Sequence, residues 1–387
     1  MRISKCNNIA DLRRLAKRRL PAPVFHYLDG GADDELTLVR NTRAYDDYEL
    51  LPSQLSDVSA IDTRSSLFGQ EIDWPVIIAP TGASKLFHSA GEPAVVRAAA
   101  NFGTIYSLST LATTSISDAA AVSDGPKMYQ IYIFKDRALT SEFIELCKLS
   151  GYIALCLTVD TPVAGNRERD FIHGFSAAPQ SRLRQAISFA QHPGWVARAV
   201  ILKDLDMVNI TRSKAAAQNI GTDVRTYIEE QMERSLTWKD VEWLRERWDG
   251  PLVIKGVQTV DDCRKAADAG ATAVMLSNHG GRQLDSAPAP VDCIAAVADA
   301  LRDRLEIICD GGIRRGNHIV KALALGANAC SVGRGYLFGL AAGGQDGVER
   351  SLTILRSEFE RTLALIGCNS VKKLGSTYVQ ERRRTRV

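Results

Sequence analysis

No two of the eight cysteines form a C-x-x-C pair, which leaves a zinc ribbon or a thioredoxin-like redox site without support. No G-x-G-x-x-G followed by an acidic ribose ligand is present, so the dinucleotide-binding fingerprint is missing. No apolar run approaches the ~18 residues of a membrane span. The basic stretch Met1 to Leu20 lacks the apolar h-region of a signal peptide. A formal net charge of +3 is too small to point to nucleic acid. Cys156 and Cys309 lie inside apolar runs, where a free thiol packs as a small hydrophobe. A reduced, cytoplasmic protein without a metal site is the expectation.

What is present is an alternation. Short apolar runs rich in β-branched residues stand at Val76–Ala79, Thr104–Ser109, Met128–Phe134, Tyr152–Asp160, Pro251–Val257, Ala273–Ser277, Leu305–Cys309 and Ala329–Val332. Such runs read as strands buried on both faces. Helical patterns separate them. Thr259 stands as a cap with Asp261 and Asp262 in the first turn, and Gly270 closes that helix. Ile319, Val320, Leu323 and Ala324 form an apolar stripe that stops at Gly326. Eight βα units predict an α/β fold, a closed parallel (β/α)8 TIM barrel rather than an open sheet. The 387 residues fit one such domain. Residues 1–75 form an N-terminal helical cap, opened by Ile9, Leu12, Leu15 and Ala16 at helical spacing. Residues 171–236 form a long insertion after strand four, of a length that is usually functional or mobile.

Active sites in such barrels lie at the carboxyl ends of the strands, and polar residues gather there. The strand ends carry Pro80-Thr81-Gly82, Ser109-Thr110, Gln130 alternating with Tyr132, Thr158 and Asp160 with Arg167 behind, Lys255-Gly256, and Ser277 to Arg282. The seventh ends in Asp310-Gly311-Gly312-Ile313-Arg314 and the eighth in Gly333-Arg334. These last two loops suit a phosphate: glycine backbone approaches an anion closely, a following helix offers its positive end, and Arg314 and Arg334 add charge. His279 between strand end and glycines, with Asp160 within reach of its second ring nitrogen, suits a general base. Arg282 and Arg167 offer two guanidinium forks to one carboxylate. Lys255 reads either as a Schiff-base lysine or as a fixed charge beside a cofactor ring.

Together these segments resemble the FMN-dependent 2-hydroxy-acid dehydrogenase and oxidase family, which includes glycolate oxidase, L-lactate dehydrogenase and (S)-mandelate dehydrogenase. The resemblance rests on Ser277-Asn-His-Gly-Gly-Arg-Gln-Leu-Asp285, Asp310-Gly-Gly-Ile-Arg-Arg-Gly316, Lys321-Ala-Leu-Ala-Leu-Gly-Ala327, Phe25-His-Tyr-Leu-Asp-Gly-Gly-Ala32, Gln130-Ile-Tyr132 and Thr158-Val-Asp-Thr-Pro162. It implies FMN as cofactor and oxidation of a small L-2-hydroxy acid to the 2-oxo acid, with O2, a quinone or another acceptor taking the electrons. It implies His279 as base with Asp160, Arg167 and Arg282 on the substrate carboxylate, and Tyr27 and Tyr132 hydrogen-bonded to substrate. Lys255 would stabilise the reduced ring. Pro80, Thr81, Gly82, Ser109, Gln130, Thr158 and Ser277 would line the flavin. Asp310, Gly311, Gly312 and Arg314 would meet its ribityl and phosphate groups, and Gly333 with Arg334 its phosphate. A homo-oligomer, tetramer or octamer, is expected.

One position departs from the glycolate oxidase pattern: Leu111 stands where that pattern carries Trp. Leu111 would line the substrate pocket without an indole, favouring a lactate- or mandelate-like side chain. The insertion has no Asp or Glu from Phe171 to Lys203 but carries Arg182, Arg184, Arg198 and Lys203 beside Leu183, Ile187, Phe189, Trp195, Val196, Val200, Ile201 and Leu202. That composition suits either a peripheral membrane contact on the cytoplasmic face or a lid or subunit contact. Three rival functions stand: a Schiff-base lyase using Lys255, a non-catalytic barrel, and a flavin oxidase of the same fold acting on another small molecule.

Overall fold

A computed structural model of the protein describes residues 2–173, 182–197, 205–213 and 224–382. Three helices open the chain. Helix α1, Ile9–Arg19, is capped by Asn8, whose side chain accepts from the Asp11 amide, and it buries Ile9, Leu12, Leu15 and Ala16. Lys17, Arg18 and Arg19 fill its last turn, complementing the helix dipole. Helix α2, Ala22–Asp29, follows Pro21, and helix α3 spans Leu36–Arg43. Helix α1 packs along the final helical run, Arg334–Leu365.

Eight strands then close a parallel barrel: β1 Val76–Thr81, β2 Tyr106–Ser109, β3 Lys127–Ile131, β4 Ala154–Thr158, β5 Leu252–Val257, β6 Ala273–Ser277, β7 Glu306–Asp310 and β8 Ala329–Val332, with β8 paired to β1. The barrel interior is filled by Ile77, Ile105, Met128, Cys156, Val253, Met275 and Ile308, all fully buried. A hairpin of Ser65–Leu67 and Gln70–Ile72 adds Leu67 and Ile72 to that interior cluster. The Phe68 amide donates to Glu306, the first residue of β7, so the hairpin sits at the amino ends of the strands. The opposite end is left for chemistry.

Two strands stop earlier than their apolar runs. Strand three, predicted to reach Phe134, ends at Ile131, because Phe134 bridges Met232 antiparallel instead of continuing the barrel. Strand four ends at Thr158 rather than Asp160, although Val159 still donates to the Lys255 carbonyl (2.9 Å). The described parts of the insertion are helical: Arg182–Ala190, Pro193–Val196, Val208–Thr211 and Val224–Gln231. Among the described residues, no helix is long and apolar enough to cross a membrane.

Candidate active site

At the carboxyl end of the barrel, β5, β6 and β7 are tied by one hydroxyl. Ser277 Oγ accepts from Lys255 Nζ (3.0 Å) and from the His279 amide (3.0 Å), and donates to Asp310 Oδ2 (2.7 Å). Lys255 lies 3.6 Å from the same carboxylate. Burial alone would lower the Lys255 pKa, but Asp160 and Asp310 outweigh it and hold the ammonium charged. A permanently charged lysine does not suit a Schiff base, which needs the free amine.

The next residues bring the base. His279 Nδ1 is 2.9 Å from Asp160 Oδ1. Burial would raise the Asp160 pKa, yet His279 and Lys255 draw it down to about 2. Burial pushes the His279 pKa below its usual value, with Asp160 opposing. The resting pair is therefore a carboxylate beside a neutral imidazole with its proton on Nδ1. The Nε2 lone pair is left to accept a proton.

Two guanidiniums flank one aromatic ring. Arg282 and Arg167 lie 4.9 and 5.8 Å from the Tyr27 ring centroid. Arg282 also donates to the Tyr27 and Gly30 carbonyls (2.7 and 3.1 Å). Burial, then repulsion from Arg167, lowers the Arg282 pKa. Such a pair is relieved by an anion bound between them. Tyr132 closes this side; burial, reinforced by Asp160, pushes its pKa up to about 12, so its hydroxyl stays protonated.

On the other side lie the two glycine loops. Arg314 is half-buried and donates to the Ile313 carbonyl (2.8 Å); desolvation brings its pKa down to about 10. Arg334 donates to the carbonyls of Leu28 (3.0 Å), Gly30 (2.6 Å) and Gly280 (2.8 Å), and burial followed by Arg282 and Arg314 lowers its pKa to about 9. The helix after β7 does not aim its first amide at a ligand, as the sequence suggested. Glu358 accepts from the Gly316 amide (2.9 Å) and pairs with Arg315. The helix that begins at Arg334 does open on the site, with Gly333, Arg334 and Leu337 on the wall.

These groups share one cavity of about 880 Å³. Its wall includes Tyr27, Pro80, Thr81, Gly82, Ser109, Leu111, Gln130, Tyr132, Thr158, Arg167, Lys255, His279 and Arg282, together with Asp310, Gly311, Gly312, Arg314, Gly333 and Arg334. Asp160 and Ser277 are not on the wall. Ser277, expected against the cofactor, stands behind it because its hydroxyl is used by Lys255, Asp310 and the His279 amide. Three buried polar atoms of the wall have no hydrogen-bond partner among the described residues: Gln130 Nε2, Thr158 Oγ1 and Ser331 Oγ. Gln130 Oε1 already accepts from Ser109 Oγ (3.2 Å), so the amide is oriented with its donor free. Buried orphans of this kind call for a ligand with a polar edge. Among the described residues, no cluster of His, Cys, Asp or Glu is placed to hold a metal.

The wall also includes residues that sequence reasoning missed: Leu38, Asn41 and Thr42 from α3, Phe87 beyond β1, and Met207, Ile228 and Met232 from the insertion. Phe87 follows β1 closely, and the others lie far along the chain from any barrel strand end, with no local signature. The insertion's expected anchor, Trp195, faces the protein: its indole donates to the Leu86 carbonyl (2.9 Å) and its ring lies 5.3 Å from Phe189. Arg198, Val200, Ile201, Leu202 and Lys203 lie outside the described residues.

A planar group with a polar edge and an anionic tail fits this wall, and the family comparison decides which. The family model described as FMN-dependent dehydrogenase matches residues 16–381. The chain belongs to the FMN-dependent dehydrogenase family. Its cofactor is FMN, and its chemistry is that of the 2-hydroxy-acid oxidases and dehydrogenases. A Mycobacterium tuberculosis protein named "Putative L-lactate dehydrogenase" is 41% identical over 384 residues, covering 99% of this chain and 91% of the relative. Glycolate oxidase 3 of Arabidopsis thaliana is 37% identical over 373 residues, covering 96% and 95%. The solved structure of the monotopic membrane protein (S)-mandelate dehydrogenase aligns with a TM-score of 0.90 at 34% identity, covering 97% of this chain and all (100%) of that one. In this member of the family, Gln130 and Thr158 are unsatisfied groups that suit the flavin's polar edge, and Arg314 and Arg334 suit its phosphate.

Proposed function

We propose that the protein oxidises an L-2-hydroxy acid with a side chain larger than that of glycolate, lactate- or mandelate-like, to the 2-oxo acid. The carrying observation is His279, backed by Asp160 (2.9 Å), in one cavity with two guanidiniums beside Tyr27. Bound FMN supplies the two-electron acceptor. Arg167 and Arg282 hold the substrate carboxylate, which fixes Cα relative to His279. Tyr27 and Tyr132 hydrogen-bond the carboxylate or hydroxyl. His279 Nε2 takes a proton as the electron pair leaves Cα, and Asp160 stabilises the imidazolium that forms. Lys255 holds fixed positive charge where the acceptor gains electrons. Leu111 leaves the side-chain end of the pocket apolar and without an indole. Anaerobic reduction with a panel of 2-hydroxy acids tests this: lactate or mandelate should bleach the bound flavin with higher efficiency than glycolate. Glycolate ranking first would refute the pocket reading.

For the electron acceptor we infer a quinone reached from a membrane surface on the cytoplasmic side. Phe171, Ile172 and Ile187 of the insertion are exposed by 51%, 65% and 52%, and a relative of the same fold is a monotopic membrane protein. Flotation with anionic liposomes, beside the protein lacking residues 181–203, tests this. Equal soluble recovery of both, with rapid H2O2 production, makes it a soluble oxidase. A homo-oligomer, tetramer or octamer, is proposed on the family resemblance and is checked by light scattering.

A further inference from the structure

The segment Ser277–Asp285 carries more than its base and its arginine. His279 has a φ of +56°, a left-handed conformation that a non-glycine residue adopts only when its surroundings impose it. The bonds of its neighbour Asn278 help to impose it. Asn278 Oδ1 accepts from Asn41 Nδ2 (2.7 Å) and from the Gly281 amide (3.1 Å). Asn278 Nδ2 donates to Asn41 Oδ1 (2.7 Å) and to the Pro288 carbonyl (2.9 Å). Both lone pairs and both protons of one amide are used. The Gly281 amide also donates to the Asn278 carbonyl (3.0 Å), closing a turn over His279 and Gly280, so backbone and side chain of Asn278 together close the loop over the base. The Pro288 carbonyl, which can only accept, fixes which end of the amide is nitrogen, and that choice dictates the orientation of Asn41.

Asn41 belongs to α3, a helix of the N-terminal segment 237 positions away. Both asparagines are buried, at 2% and 4% exposure. Helix α3 is fixed to the same loop at its other end. Its preceding residue Glu35 makes no side-chain cap; Asp285 caps it instead, accepting from the Thr37 amide (2.7 Å) and the Leu36 amide (3.2 Å). Thr37 Oγ1 in turn accepts from the Ala287 amide (3.0 Å). The backbones touch as well. A Cβ on Gly281, whose φ is +73°, would lie 2.5 Å from the Leu38 amide nitrogen, and one on Gly312 would lie 1.7 Å from the Asn41 carbonyl oxygen. Helix α3 is thus wedged between the loop bearing His279 and the loop bearing Arg314.

We propose that the reciprocal Asn41–Asn278 amide pair is a positioning device. Through it helix α3 holds His279 in its left-handed conformation, with Nδ1 on Asp160 and Nε2 toward the substrate. Neither asparagine touches the reacting atoms in this account; both act through His279, and the proposal rests on His279 being the base.

The test is Asn41→Asp, an isosteric change. As a carboxylate it faces Asn278 Oδ1 with an acceptor and breaks one of the two bonds. Protonated, its O–H donates to Asn278 Oδ1 and restores the pair. The rate of flavin reduction relative to the parent protein at each pH should therefore rise as pH falls, about tenfold between pH 8 and pH 5, the scale of one buried hydrogen bond. A change that only loosened the fold would lower the melting temperature or bound FMN and leave that ratio flat. A flat ratio overturns the proposal. A cycle of Asn41→Ala, Asn278→Ala and the double variant gives a second measurement. The double variant should be no slower than Asn278→Ala; losses that multiply would overturn the pairing. His279→Gln separates the two readings. If it still reduces flavin, the base assignment fails. If it is inactive with FMN bound while the Asn41→Asp ratio is flat, the positioning role alone fails.

Discussion

Replacing Asp160 by Asn tests the electrostatics of the site most directly. The carboxylate is ionised, its pKa drawn down to about 2 despite burial, and it lies 2.9 Å from His279 Nδ1. When His279 accepts a proton the pair becomes an ion pair. Two unit charges about 4 Å apart at an effective dielectric of about 20 attract by roughly 4 kcal/mol. If half or all of that is lost, the rate of flavin reduction falls by about 30- to 1000-fold, at about 1.4 kcal/mol per decade. Asn also has two faces. If its NH2 meets Nδ1, the proton moves to Nε2 and the base is lost altogether. The pH profile carries the sign. His279 acts as a base only when neutral, so kcat/KM rises with pH through its pKa. Burial lowers that pKa and Asp160 is the leading group opposing the shift, with Lys255 reinforcing it. Removing Asp160 lowers the pKa further, so the acid limb moves to lower pH while the plateau drops. Stopped-flow reduction from pH 5 to pH 8 measures both. An acid limb that stays in place, or moves up, refutes the assigned pair.

Three further outcomes follow from the same geometry. His279→Gln retains bound flavin and loses turnover by several orders of magnitude, because the base goes while Arg314 and Arg334 stay; flavin reduction near the parent rate contradicts this. Arg282→Lys raises KM strongly, since an ammonium cannot reproduce a fork that holds the Tyr27 and Gly30 carbonyls and a substrate carboxylate at once; unchanged KM and kcat contradict it. The cofactor extracted from purified protein is FMN by mass, and FAD or NAD in its place would contradict the two-loop phosphate site.

The barrel was legible because its strands are buried along their length and each run of Val, Ile, Leu and Ala is bounded by a polar strand end. His279, Asp160, Arg167 and Arg282 were legible for the same reason: each lies at or just past such an end, and the fold sends all of those ends to one mouth. What stayed hidden depends on packing between distant segments. Asn41 is one polar residue on a short helix, and nothing near it in sequence reveals the amide it meets 237 positions later. Ser277 was placed at the right end of its strand but on the wrong surface, since its alternation does not reveal that Lys255 and Asp310 will claim its hydroxyl. Trp195 looked like an interfacial aromatic by composition, and the Leu86 carbonyl that accepts its N–H lies on a distant short helix, Ser84–Phe87.

The two half-buried arginines of the phosphate loops should also be separable. Neither is paired with a carboxylate at hydrogen-bond distance among the described residues; Arg314 donates to its neighbour's carbonyl and Arg334 to three carbonyls. The depressed pKa values, about 10 and about 9, reflect guanidiniums desolvated without a matching anion. A phosphate supplies that anion, and each charge-assisted contact is worth about 1.5–3 kcal/mol. Arg314→Met and Arg334→Met should each weaken FMN binding by roughly 10- to 100-fold. Their effects on substrate differ. Arg334 also holds Gly280, next to His279, and Leu28 and Gly30 at the end of α2, beside Tyr27. Saturated with FMN, Arg314→Met should recover its parent KM, whereas Arg334→Met should keep a raised KM and a reduced kcat. FMN titration by flavin fluorescence, followed by kinetics at saturating FMN, measures the two effects apart. Full recovery of Arg334→Met at saturating FMN would show that Arg334 serves the phosphate alone and that its three carbonyl contacts do not shape the substrate site.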